Sequence, residues 1–101
     1  MKEELLSAFL QETVKNIPKD AVDLRAAADS IISKWINLKF EYPHQLMDNF
    51  VYIESSIERI IYENANNPIK LKSKCKESYD FHIDSFLASL AELQSFIDGH
   101  G

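Results

Sequence analysis

Apolar residues recur at spacings of three and four along most of this chain, in four stretches separated by three prolines. The longest stretch lies last. Tyr79, Ile83, Phe86, Leu90, Leu93 and Ile97 alternate steps of four and three, and Cys75 and Leu71 carry the register backwards. Side chains at those offsets stack on one face of an α-helix. Asn67-Pro68 supplies a start, since Asn caps and Pro at the first helical position forgoes a bond that no helix uses there. Gly99 is expected to give a left-handed stop. The spacing therefore predicts a helix over 67–98, about 45 Å long.

The preceding stretches are expected to fold back against it. Leu6, Phe9, Leu10 and Val14, with Leu5 beside them, mark a first helix. Glu3 and Glu4 stand in its first turn, where carboxylates suit the positive end of the dipole. Ile17-Pro18 ends it, because a residue before Pro is pushed out of the helical region. Asp20 then caps a second helix, with Asp23 in the capping-box position. Its register is Leu24, Ala28, Ile31, Trp35 and Leu38; Ile32 and Ile36 widen the face, as burial against two neighbours requires. Residues 40–42 lead into Pro43, which breaks the pattern. A third helix runs from about His44 to Asn64 on Leu46, Phe50, Ile53, Ile57 and Ile60, flanked by Met47 and Ile61. Residues 63–68 are turn chemistry. The run IKLKSKCK alternates like a strand but equally suits a first helical turn. Short connections make sequential helices antiparallel. The expected fold is all-α: an up-down-up-down four-helix bundle with a long C-terminal helix, in one domain over 1–101.

Composition narrows the class. With 46% hydrophobic and 27% charged residues the chain suits a folded domain. A net charge of −5 disfavours non-specific nucleic-acid or acidic-membrane binding. One Cys excludes an internal disulfide and fits a reducing compartment. The N-terminus lacks the apolar core of a signal peptide, and no stretch approaches the ~18 apolar residues of a membrane span. A soluble, cytoplasmic protein is expected.

The charge is unevenly placed. Residues 1–39 are neutral overall, 40–67 carry −4, 68–76 carry +4 in four lysines, and 77–101 carry −5 with no Lys or Arg. The fourth helix is thus basic at its start and acidic beyond, the reverse of what its dipole prefers. Lys70, Lys72, Lys74 and Lys76 are two apart, which spreads them around the axis.

Candidate chemistry is sparse. With Tyr79 inward, Glu77, Phe81, Asp84, Ala88 and Glu92 face outward: an aromatic among carboxylates suited to a basic partner. Tyr52, with Val51 and Tyr62 off the third seam and Glu54, Glu58 and Arg59 nearby, offers a second acidic-aromatic surface. For both, a solvated helix face is the plainer explanation. Glu41-x-x-His44 matches one half of a di-iron motif, but it occurs once, across a proline, with no inward carboxylates elsewhere. His82 lies at the seam's edge. Cys75 reads as a small buried apolar residue. No phosphate loop, catalytic triad or zinc spacing is present, so no enzyme activity, cofactor or metal is expected. Small acidic helical chains of this size are common among immunity proteins, antitoxins and phage inhibitors; the likeness is one of size, charge and fold class. The leading expectation is a protein-binding module, an inhibitor or adaptor meeting a basic protein through Glu77, Phe81, Asp84, Glu92, Tyr52 and Glu58. The alternative is a homodimer or larger assembly through the long helix.

Overall fold

The computed structural model describes residues 2–39 and 44–100, and the side-chain surroundings of 4–39 and 44–99. Four helices follow in order: α1 (Lys2–Lys15), α2 (Ala21–Leu38), α3 (His44–Glu63) and α4 (Pro68–His100). The described residues contain no strand. Local chemistry accounts for the starts. Asp20 is extended, and its carboxylate accepts from the Asp23 N–H at 2.9 Å. Asn67 likewise accepts from the Lys70 N–H at 3.1 Å, with Pro68 at the first helical position. α2 stops where Lys39 turns left-handed, at φ 57°, and donates its N–H to the Ile36 carbonyl. Pro43 and residues 40–42, expected to break the pattern here, lie outside the described residues.

The helices form a four-helix bundle with principal extents of 47 × 23 × 18 Å. The 33 residues of α4 span its length. α2 and α4 touch each other, and each touches both α1 and α3. Among the described residues the backbones of α1 and α3 do not approach one another, so the two helices flank the α2–α4 pair on opposite sides. Cross-helix bonds fall in the order that antiparallel neighbours give. Gln94 bonds Ser7 and Tyr79 bonds the Pro18 carbonyl, while Asn49 donates to Ser89 and Arg25 reaches Glu58.

The core is apolar and closely packed. One continuous cluster holds Leu6 and Leu10 of α1, Leu24, Ala28, Ile31 and Trp35 of α2, Phe50, Ile53 and Ile57 of α3, and Phe86, Leu90, Leu93 and Ile97 of α4. Phe50 and Phe86 pack edge to face at 5.7 Å. Each Leu, Ile or Phe side chain among them contributes about 1.5–3 kcal/mol by leaving water.

Several positions depart from the periodic reading. Gly99 does not stop α4: the helix runs to His100 and no described glycine has positive φ. The left-handed turn is open to glycine but not imposed by it. Ile36 is 66% exposed rather than widening a buried face. It follows buried Trp35 by one residue, a turn of about 100° off the core line. Leu5 is exposed for the same reason, one residue before buried Leu6, and Val14, though in line with Leu6 and Leu10, is exposed in the last turn of α1. Leu71, Cys75, Tyr79 and Ile83 continue the α4 seam but are only half-buried. α1 is the cause: its 14 residues are too few to follow α4, and the segment after it crosses at Tyr79.

Candidate functional site

The most structured surface feature is a groove between α3 and the first half of α4, enclosing about 530 Å³. Its floor is built by residues at the same three-and-four spacing as the core, but polar ones. Ser78 and His82 are 5% and 4% exposed, and Ser89 continues the line to meet Asn49. Tyr52 on α3 and Phe81 on α4 stand over this floor. The His82 ring packs edge-on against both, at 5.3 Å from Tyr52 and 4.8 Å from Phe81. Phe81 remains 70% exposed and Tyr52 56%. A buried imidazole thus props two aromatic rings outward. Burial pushes the His82 pKa below its ordinary value near 6.5, because the low-dielectric floor disfavours the charged ring. The Ser78 hydroxyl has no hydrogen-bond partner among the described residues.

The walls carry mixed charge. Arg59, Lys70 and Lys74 face Glu63 and Glu77 around the opening. Lys74 and Glu77 form an ion pair at 3.4 Å, on the same helix three residues apart. The four lysines at the start of α4 therefore split into two pairs. Lys70 and Lys74 belong to this groove, whereas Lys72 and Lys76 line a second one with Lys19, Asp20, Cys75, Tyr79 and Asp80. Cys75 is half-buried there. Burial first, and then the Asp20 carboxylate, pushes its thiol pKa up, away from nucleophilic chemistry.

Of the candidate residues, the structure brings Tyr52, Glu77 and Phe81 together around the groove. Asp84 and Glu92 continue along the outward face of α4, exposed and without a cation partner among the described residues. Glu58 is elsewhere, on the α2 side of α3, where Arg25 donates to it at 3.4 Å. Beside it Glu54 is held above the usual carboxylate range by burial, by a hydrogen bond with Asp29, and by the Asp29 and Glu58 charges. Arg25 opposes that rise. Glu41 of the single Glu-x-x-His match lies outside the described residues.

Sequence reasoning missed the polar floor. Ser78 and Ser89 carry the seam's own spacing, four before and seven after His82, and that periodicity was the available signal. It also missed the pairing of Lys70 and Lys74, one turn apart. Among the described residues no group of three His, Cys, Asp or Glu side chains is placed to hold a metal ion. No helix of the described residues is long and apolar enough to cross a membrane. No protein-family model matches the chain, and no curated protein or solved structure matches it either.

Proposed function

We propose that this chain is a protein-binding module of the inhibitor or adaptor kind, engaging a basic protein through the outward face of α4. The observation that supports it is the exposed Phe81 ring, backed by Tyr52 and His82, in line with the exposed carboxylates of Asp84 and Glu92. A large exposed ring held by a rigid base anchors binding, because little side-chain entropy is lost when it is covered. The acids steer a cationic partner to it and exclude acidic ones. From Glu77 onward the chain carries five acids and no Lys or Arg, so the field along this face has one sign beyond the groove.

Capture on the immobilised chain, eluted with a salt gradient, tests this reading. A basic protein should be retained, and its affinity should fall about tenfold or more as salt rises to several times physiological strength. Phe81→Ala and the double change Asp84→Lys, Glu92→Lys should each abolish retention while leaving helicity intact. Retention that ignores salt and survives both variants would overturn the proposal.

A further inference from the structure

The charge order along α4 opposes its own dipole, with lysines at the positive end and acids toward the negative end. Among the described residues nothing compensates this order beyond local pairs: Lys74 with Glu77 and Lys76 with Asp80, both exposed. The outward face has a further regularity. Lys70, Phe81 and Glu92 are eleven residues apart, and all three are exposed. Eleven residues make just over three whole turns, with a drift of about 20°, so the three side chains lie on one line along the helix. Lys70 and Glu92 have no ion-pair partner among the described residues.

We infer that this line is a self-complementary docking surface, and that in the absence of another partner it is covered by α4 of a second copy lying antiparallel, with Phe81 at the two-fold axis. A two-fold contact brings residue i of one copy to residue j of the other and the reverse. Centred on Phe81, it sets Lys70 against Glu92 of the second copy, twice. It stacks the two Phe81 rings and sets Lys74 against the small Ala88. Ser85 and Ser95 flank the same line and let the helices approach. The antiparallel arrangement also places the acidic end of each α4 beside the positive dipole end of its neighbour, which answers the inverted charge order. A parallel pairing would oppose like charges along the whole length. One contact is unfavourable: Glu77 comes near Asp84 of the second copy, with Lys74 between them. A single helix face is at the small end of interface sizes, so the dimer is weak and reversible. The pairing stands independently of a foreign partner, although the two occupants compete for Phe81.

Sedimentation of the full chain from about 10 µM to about 1 mM, a range matched to weak association, tests it. A reversible monomer–dimer equilibrium that weakens with salt is expected. Lys70→Glu alone and Glu92→Lys alone should each reduce association at least tenfold, since each sets like charges against one another twice. An equimolar mixture of the two variants should recover it, because both cross-pairs become opposite again. Phe81→Ala should weaken association whatever the charges. A native chain that stays monomeric throughout, single variants that associate like the native chain, or a mixture no better than its components would each overturn the inference. Recovery in the mixture also separates the register from damage to the fold. Loss of dimerisation alone leaves the basic-partner reading untouched, because that is read by capture and not by self-association.

Discussion

The two halves of α4 obey the same spacing and do different work. From Phe86 to Ile97 the inward residues are Phe86, Leu90, Leu93 and Ile97, all buried among side chains of the other helices. From Leu71 to Ile83 the inward apolar residues are half-buried, and the fully buried positions beside them are Ser78 and His82. The cause is geometric. α1 ends at Lys15, and only residues 18–21 lie beside Tyr79 and Cys75, so the earlier turns of α4 lack a helical wall on that side. Where the wall exists, apolar side chains leave water completely and stabilise the fold. Where it is missing, the chain places polar groups on the floor of a groove and aromatic rings at its rim. One half of the helix secures the fold, and the other offers a surface.

The largest test of this contrast removes a ring from the closed half. Phe86 is fully buried and meets Phe50 edge to face. Phe86→Ala should cost about 3–5 kcal/mol, because the transfer loss adds to the cavity left behind. That is a large fraction of the 5–15 kcal/mol typical of a domain. Ile69→Ala, an exposed change in the open half, should stay within about 0.5 kcal/mol. Urea unfolding followed by circular dichroism reads both. Comparable losses at the two positions would mean that the open half is as tightly held as the closed one.

A smaller effect separates the halves by pH. Burial holds His82 neutral in the folded chain, below the value near 6.5 that it takes when unfolded. The stability it contributes is therefore present above about pH 6.5 and lost as pH falls through the folded value. Glu54, on the opposite side of α3, has the reverse sign. Its pKa is raised above 4.5 by burial and by Asp29, so its contribution is present below that value and lost as pH rises through the folded one. Urea midpoints measured across this range should decline on acidification for the native chain. The decline should flatten in His82→Leu and steepen in Glu54→Gln. An unchanged slope in His82→Leu would show that the imidazole is not the group responsible.

The closed half was the legible one. A helix buried on one stripe must repeat at three and four, so Phe86, Leu90, Leu93 and Ile97 announced their own placement. Asp20 and Asn67 announced the helix starts, because capping is local chemistry. What escaped was set by neighbours. No periodicity tells that Ile36 sits beyond the contact width of α2. Gly99 was misread because glycine permits a left-handed stop without requiring one. At the candidate site, the exposure of Phe81 followed from helical angle alone. Its partnership with Tyr52 and His82 depends on how α3 and α4 register against each other, which neither helix encodes by itself. Glu58 was grouped with that surface because its own helix places it near Tyr52 in sequence; the 100° step per residue carries it round to Arg25 instead.

The smallest change tests the groove floor directly. The Ser78 hydroxyl is buried, makes no hydrogen bond to the described residues, and sits mid-helix. An unsatisfied buried hydroxyl costs about 1–3 kcal/mol, and Ala has the higher helix propensity by about 0.5 kcal/mol. Ser78→Ala should therefore stabilise the chain, by about 1 kcal/mol once the lost side-chain contacts are set against these gains. The same change at Ser89, which Asn49 bonds, should destabilise it instead, because the amide would lose its partner. Paired denaturation curves at neutral pH decide between them. If Ser78→Ala lowers the midpoint, the hydroxyl has an occupant that holds it, a water or a ligand group in the groove. The open half of α4 would then be a filled site and not a bare surface.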